Sequence, residues 1–254
     1  MTDSLKQRLR SGRPTFGTWL ALGCPTVAEA LALLGPDWLV IDTEHAAVDE
    51  QTLEEMIRAI AAAGTDVTPL VRVAANDLAL IKKALDRGAM GVLVPLISSP
   101  EEARQVVAAC RYPPEGVRGA AGTRASRYGL SLADYFATWN ERVLVGVQIE
   151  TRSALESVAA IARVDGVDLL FVGPNDLSAS LGLFRRFDHP EYRAAVRRIL
   201  DAARSAGKAA GYMARDAEEA DAVAREGFQF VSVTSDLRLL MGAASSAFER
   251  LRKR

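Results

Sequence analysis

Histidine and cysteine are scarce in this chain: His45, His189, Cys24 and Cys110 are the only residues of their kinds. The two cysteines lie far apart and outside any Cys-x-x-Cys pattern, so no disulfide framework is expected and a reducing cytoplasm fits. With two histidines beside them, a structural zinc site is not expected either. Lysine is nearly as rare. Lys82 and Lys83 fall inside a helical pattern, Lys6 and Lys253 lie near the ends, and Lys208 precedes an apolar run. None is placed for Schiff-base chemistry with a ketone. Aromatic residues make up 6% of the chain, too few for the stacking platforms of a glycosidase. The most apolar stretch, Ala28 to Ile41, is broken by Glu29, Pro36 and Asp37, and no run approaches the roughly 20 apolar residues of a membrane span. Neither sign of charge dominates. Thirty-one Lys and Arg against 32 Asp and Glu leave no overall field to draw the chain to nucleic acid or an anionic membrane. The stretch from Met1 to Gly17 is basic but lacks the apolar core of a secretory signal, so export is not expected.

What is present is an ordinary globular composition, 49% apolar and 25% charged, which rules out disorder and fibrous architecture. At about 150 residues per domain the length allows one large domain or two small ones. Short runs rich in Val, Ile and Leu alternate with segments of helical period, the pattern of a parallel sheet wrapped by helices. Eight runs are expected as strands: Thr15 to Leu22, Trp38 to His45, Thr68 to Val73, Gly91 to Ile97, Val143 to Glu150, Asp168 to Gly173, Ala209 to Ala214 and Phe228 to Thr234. Helices are expected over Leu53 to Ala63, Leu78 to Arg87, Pro100 to Arg111, Ser153 to Arg163, Glu191 to Ala206 and Ala217 to Arg225. Several close on a glycine, as at Gly64, Gly88, Gly207 and Gly227. No Gly-x-Gly-x-x-Gly follows a strand, which favours a single (β/α)₈ TIM barrel, an α/β fold spanning residues 1–254, over an open doubly wound sheet. An extra N-terminal helix, Ser4 to Ser11, is expected to close the bottom of that barrel. Tyr112 to Gly129 is a long irregular segment, and such loops inside compact domains are usually functional. A further apolar helix, Leu237 to Leu251, runs into Arg252, Lys253 and Arg254, which favour its dipole.

In such a barrel, catalytic groups stand at the C-terminal ends of the strands. That rule selects Asp42-Thr43-Glu44-His45, Arg72, Gln148-Ile149-Glu150 and Gly173-Pro174-Asn175-Asp176. Glu150 and Asp176 end consecutive strands, so their carboxylates are expected to converge, and two carboxylates so close repel unless a cation lies between them. Hard oxygen donors without a thiol or imidazole pair select Mg²⁺ or Mn²⁺. Two protein ligands leave positions open for a bidentate 2-oxo acid. Either carboxylate alone would equally suit a cap on the helix that follows it. The turn at 173–176 exposes backbone N–H groups that suit an anionic carboxylate, and Gly173 allows close approach to the backbone. His45 is the one histidine near a strand end and suits a general base, a hydrogen-bonded structural role being the alternative. His189 is expected at the surface. Arg72 needs an anion or a developing oxyanion, or else an ion pair with Asp42 or Glu44.

These residues carry a family resemblance. From Gly17 to about Leu240 the chain resembles the metal-dependent class II pyruvate aldolases of the 4-hydroxy-2-oxoheptanedioate aldolase and 2-keto-3-deoxyglucarate aldolase type. The segments concerned are Gly17-Thr18-Trp19-Leu20, Asp42-Thr43-Glu44-His45, Val71-Arg72-Val73, residues 80–89, Arg111-Tyr112-Pro113-Pro114-Glu115-Gly116-Val117-Arg118-Gly119, Gln148-Ile149-Glu150-Thr151-Arg152 and residues 173–182. The resemblance implies that Glu150 and Asp176 ligate a divalent metal, with Mg²⁺, Mn²⁺ and Co²⁺ as candidates. It implies that Gln148 and the backbone at Asn175 and Asp176 hold pyruvate, that Arg72 stabilises the enolate oxyanion, and that His45, assisted by Asp86, is the base acting on the C4 hydroxyl. A homohexamer with exchanged C-terminal helices is implied too, docking of Leu237, Leu239, Leu240 and Met241 on the parent barrel being the alternative.

One point resists a single-chain picture. Asp86 falls near the end of a helix running down the outside of the barrel, while His45 belongs to the opposite rim. Their pairing is therefore expected between neighbouring subunits, unless the helix is broken or shifted. Trp19, ending the first strand, would either line the acceptor pocket or pack in the core. The activity so implied is reversible retro-aldol cleavage of a 4-hydroxy-2-oxo acid to pyruvate and an aldehyde. Two other readings stay open: an acyl-CoA carbon–carbon lyase of the citrate lyase beta type, using Arg118, Arg124 and Arg127 for the CoA phosphates, and a non-catalytic 2-oxo-acid-binding barrel.

Overall fold

The eight apolar runs are buried on both faces, as in a sheet covered by helices on one side and closed on itself on the other. The computed structural model, described over residues 3–252, has that form. The strands are β1 (Thr15–Leu20), β2 (Trp38–Asp42), β3 (Thr68–Arg72), β4 (Gly91–Val94), β5 (Leu144–Ile149), β6 (Leu169–Val172), β7 (Ala209–Ala214) and β8 (Phe230–Ser235). All pair in parallel and in sequence order, and β8 closes on β1. The helices are α1 (Leu5–Arg10), α2 (Pro25–Ala32), α3 (Glu50–Ala62), α4 (Leu78–Asp86), α5 (Pro100–Cys110), α6 (Leu132–Arg142), α7 (Arg152–Ala162), α8 (Pro174–Ser180), α9 (Pro190–Ser205), α10 (Ala217–Glu226) and α11 (Asp236–Arg252). Among the described residues no helix is long and apolar enough to cross a membrane.

Two apolar layers build the molecule. The outer one, between strands and helices, takes the residues of alternate strand positions such as Leu39, Ile41, Val92 and Val145 together with the inward stripes of the helices. The inner one fills the barrel with Trp19, Trp38, Leu70, Leu93, Phe171 and Phe230. Trp38 stacks on Phe230 at 3.7 Å between ring centroids, Phe230 meets Phe171 edge-on, and Phe171 meets Trp19 at 5.6 Å. This column excludes a pore and sets a floor beneath the upper rim. Gly17 has no side chain because Trp38 lies against its backbone, where a Cβ would sit 2.2 Å from the Trp38 carbonyl oxygen.

The lower end is plugged by α1, as expected. Leu5 and Leu9 join the inner layer, and the buried Lys6 Nζ reaches the Val143 carbonyl at 2.7 Å and Asp168 at 3.0 Å. Two helices, α2 and α6, were not expected from the sequence. Neither has a side-chain cap bond at its N-terminus. Each expected strand that overran, to Leu22, His45, Val73, Ile97, Glu150 or Gly173, stops one to three residues earlier. The overrun residues are the ones that turn out of the sheet and carry the polar groups of the rim. The α11 helix leaves β8 with Leu237, Leu239, Leu240, Met241 and Phe248 exposed, and only Asp236 of its residues is buried. Docking of those leucines on the parent barrel is therefore not what the chain does. Lys253 and Arg254, expected to extend this helix's basic end, lie outside the described residues.

Candidate active site

At the end of β2 the chain turns because Asp42 makes it turn. Its Oδ1 accepts the backbone N–H groups of Glu44 at 3.0 Å and His45 at 3.3 Å. The same carboxylate takes Arg72 in a two-point grip, Nε to Oδ1 at 2.9 Å and Nη2 to Oδ2 at 2.6 Å. Arg72 Nη1 lies 3.1 Å from Glu44 Oε2, so the guanidinium bridges both carboxylates that the sequence offered it as alternatives. Its remaining face lies on the Trp19 ring at 4.6 Å. Trp19 is thus packed in the core, 2% exposed, beneath the charge it supports. Burial pushes the Asp42 carboxyl up, but the Arg72 guanidinium and the two backbone donors outweigh it and hold the group below the usual carboxylate range. Glu44 goes the other way: burial raises it, Arg72 and His45 pull it down, Asp42 and Asp176 push it up, and the net direction is upward.

His45 stands clear of this network, its side chain 66% exposed with Nε2 3.8 Å from Glu44 Oε2. It is open to solvent at the rim.

Across the mouth, Glu150 follows β5 and is 3% exposed. Its Oε1 accepts the Leu96 N–H at 2.7 Å and its Oε2 accepts Gln148 Nε2 at 2.8 Å. Burial drives its carboxyl upward, and Asp176 and Glu44 add to that against the two hydrogen bonds. The charges of Asp176 and Glu44 both reach Glu150, and Glu44 is a contributor that the sequence did not pair with it. Asp176 itself is exposed in the first turn of α8 and has no hydrogen-bond or ion-pair partner among the described residues. Gly173 is required here for a reason the sequence did not reveal: a Cβ would lie 2.1 Å from Glu150 Oε2. The bare backbone makes room for the carboxylate.

Buried polar atoms normally find partners. Gln148 Oε1 and Trp19 Nε1 find none in the protein. The region is rich in oxygen acceptors and carries excess negative charge around Glu150, which is the environment a hard divalent cation fits. Among the described residues no group of three or more His, Cys, Asp or Glu side chains is arranged around one point. Glu150 is buried and Asp176 is exposed at the same rim, and both are carboxylates that could hold such an ion.

Asp86 is not brought to His45 within the chain. It ends α4, at the lower rim, and its Oδ1 accepts Arg118 Nη2 at 2.8 Å. Arg118 is 1% exposed and enclosed by Tyr112, Tyr135 and Trp139, with ring centroids 4.7, 5.5 and 4.7 Å from its central carbon. The acyl-CoA alternative would need Arg118, Arg124 and Arg127 free for the CoA phosphates. Arg118 is consumed by this cage, and Arg124 Nη1 donates to the Arg87 carbonyl at 2.8 Å. His189 is also accounted for structurally: it caps α9, its Nδ1 accepting the Glu191 N–H at 3.3 Å.

Known proteins resemble this chain over nearly its whole length. The family model of the HpcH/HpaI aldolase/citrate lyase family matches residues 15–243. The chain is 42% identical to a hydroxypyruvate/pyruvate aldolase of Paraburkholderia phytofirmans, over 99% of this chain and 98% of that one. It is also 42% identical to a 4-hydroxy-2-oxo-heptane-1,7-dioate aldolase of Salmonella dublin, over 98% and 95% of the two chains. The crystal structure of a family member from Burkholderia cenocepacia superposes with a TM-score of 0.95 at 42% identity, covering 99% of this chain and all of that one. A closed parallel barrel, an arginine clamped between carboxylates and an acidic rim across from it are here those of a chain that belongs to the HpcH/HpaI aldolase/citrate lyase family.

Proposed function

We propose that this chain is a lyase that cleaves a 4-hydroxy-2-oxo acid reversibly to pyruvate and an aldehyde. The observation that carries the reading is the placement of Glu150, a buried carboxylate facing Asp176, opposite a guanidinium fixed at the same mouth. The names of the relatives, 4-hydroxy-2-oxo-heptane-1,7-dioate aldolase and hydroxypyruvate/pyruvate aldolase, support it.

Glu150 and Asp176 are the residues that would hold a divalent cation, Mg²⁺, Mn²⁺ or Co²⁺. When bound, such an ion supplies positive charge for the oxygens of the 2-oxo acid. Gln148 and the backbone of Asn175 and Asp176 hold the pyruvate carboxylate. His45, exposed at the rim, takes the proton from the C4 hydroxyl, the C4–O bond becomes the aldehyde carbonyl, and the C3–C4 bond breaks. Its electron pair passes into the pyruvate half, where Arg72 faces the oxyanion at C2. Protonation at C3 completes the cleavage; the reverse order is aldol addition. Arg72 is suited to this because Asp42 fixes its fork in two places, so no reorganisation is needed as charge develops.

Asp86 assists His45 from a neighbouring subunit in this reading, the Oδ1 bond to Arg118 orienting it. The exposed apolar residues of α11 serve the same assembly, a homohexamer with exchanged C-terminal helices. A cytoplasmic location and a small-molecule substrate, with no nucleic-acid or membrane partner, complete the proposal. The acyl-CoA alternative loses its anchor with the burial of Arg118.

The test is pyruvate addition to a panel of semialdehydes and hydroxyaldehydes, with and without chelator. Carbon–carbon bond formation that chelator abolishes and a divalent salt restores supports the proposal. Absence of any adduct across the panel overturns it.

A further inference from the structure

Beside the acidic mouth lies a feature of opposite charge. A cavity of about 230 Å³ opens between the end of β7, the loop after α8 and the start of α11, and Asn175 forms part of its wall. Three arginines from three separate elements line it: Arg185 from the loop, Arg215 just past β7 and Arg238 in the first turn of α11. Glu219 is the one carboxylate in that wall, and Arg215 holds it, Nε to Oε2 at 3.0 Å. Arg185 and Arg238 have no side-chain partner among the described residues. Three arginine residues against one glutamate give the lining a formal excess of two positive charges.

The placement of Arg185 is also unusual. Its φ is 58°, a conformation that favours glycine over any residue with a Cβ. The neighbouring site holds it there. The Arg185 N–H donates to Ser178 Oγ at 3.0 Å, and the Ser178 hydroxyl donates to the Asn175 carbonyl at 2.8 Å, Ser178 being fully buried. The loop that presents this guanidinium is thereby tied to the turn that presents Asn175 and Asp176.

We infer that this cavity seats a phosphate group on the aldehyde half of the substrate. The inference rests on the reaction proposed above and names the class of aldehyde it takes. A carboxylate brings one charge and two coplanar oxygens. A phosphomonoester brings close to two charges and three acceptor oxygens, which match the two unpartnered guanidinium groups and the N–H groups Arg215 has left. Asn175 belongs both to this wall and to the turn proposed to hold pyruvate, so the cavity adjoins the reacting end of the site. Positive charge at this end of the site and the acidic mouth at the other also fix the direction in which the aldehyde enters.

The experiment measures kcat/KM at saturating pyruvate and fixed divalent cation for glyceraldehyde 3-phosphate, glyceraldehyde and succinic semialdehyde. The variants are Arg185→Gly, Arg238→Gln, Arg238→Lys and, as control, Arg127→Gln, whose guanidinium lines a different cavity. Arg185→Gly removes a guanidinium while relaxing the backbone, so its effect does not come from unfolding. The phosphorylated aldehyde is expected to exceed both others by about tenfold to a hundredfold, the size of a charge-assisted hydrogen-bond pair. That preference is expected to fall about tenfold in Arg185→Gly and in Arg238→Gln, to return in part in Arg238→Lys and to persist in Arg127→Gln. Equal use of phosphorylated and plain glyceraldehyde, a preference for the semialdehyde, or a preference that survives both substitutions overturns the inference and leaves the aldolase reading standing. Failure to add pyruvate to any of the three overturns both.

Discussion

Glu150 is anchored by a residue with its backbone in the left-handed region: its Oε1 takes the N–H of Leu96, whose φ is 57°. The donor comes from the loop after β4, and Gln148, two residues earlier near the end of β5, grips the other oxygen. The carboxylate is oriented by two neutral donors and no cation, while Asp176 and Glu44 oppose its charge. Burial and that repulsion hold the carboxyl above its ordinary range, so keeping it ionised near neutral pH costs the fold stability.

Glu150→Gln should therefore separate stability from activity. The amide oxygen keeps an acceptor for Leu96 while the buried charge disappears. Turnover is expected to fall about 100-fold, because the proposed divalent cation would lose one of its two carboxylate ligands. In chelator, thermal unfolding of the variant is expected to occur no lower than that of the parent. A variant that is both active and less stable would mean that Glu150 is a structural residue.

Gly173→Ala probes the same carboxylate from the other side. The φ of −85° at this position suits alanine, so the backbone is not strained. The added Cβ would lie 2.1 Å from Glu150 Oε2 and 2.9 Å from its Cβ, and one of the two elements must move. Overpacking of this kind costs about 1–3 kcal/mol, and a displacement near 1 Å at a reacting site costs about 100-fold in rate. Wild-type kcat/KM in Gly173→Ala would show that the position of Glu150 is unimportant.

The barrel is legible in the sequence because parallel strands buried on both faces must be continuous apolar runs, and Leu39, Val40 and Ile41 or Leu169, Leu170 and Phe171 are such runs. Their ends are not, because pairing stops where side chains capture the backbone, as Asp42 does for Glu44 and His45. The α2 helix escapes because it buries only Ala28 and Ala32 while Leu33 and Leu34 beyond it are exposed, the reverse of an amphipathic signature. At the site, strand-end position picks out Arg72, Glu150 and Asp176, since the chain must deliver them to one rim. The burial of Arg118 is invisible to that logic. Its three aromatic neighbours come from residues 112, 135 and 139, and nothing local marks an arginine in a glycine-rich loop as enclosed.

Asp86 and His45 offer a test of assembly. They occupy opposite rims of one chain, and Asp86 is already bonded to Arg118. If the pair forms across a subunit interface, His45→Ala and Asp86→Ala, each nearly inactive alone, should complement when co-expressed. Each site draws its histidine from one chain and its aspartate from another, so random mixing in a symmetric assembly leaves about one site in four intact. Activity near that fraction, rising with co-assembly and absent when the purified variants are combined without subunit exchange, is the expected result. No recovery after verified co-assembly would exclude the intersubunit pair.

Asp42 and Arg72 set how the site responds to acid. Arg72 is 13% exposed in its side chain and Asp42 6%, so removing one charge leaves the other poorly solvated. Asp42→Asn is expected to cost about 3 kcal/mol near neutral pH, or roughly 6–12 °C in Tm for a chain of this size. The pH dependence follows from the direction of the Asp42 shift, which is downward on folding. Above the ordinary aspartate range, near pH 4, the folded and unfolded groups are both ionised and the full stabilisation is present. As the pH falls through the lower folded value the native carboxylate must also take a proton, and the stabilisation is lost. Asparagine has no proton to take. The gap in Tm between parent and Asp42→Asn should therefore be flat from pH 7 to about pH 5 and close below about pH 4. A gap that stays constant into strong acid would mean that the charge on Asp42 contributes nothing to holding Arg72.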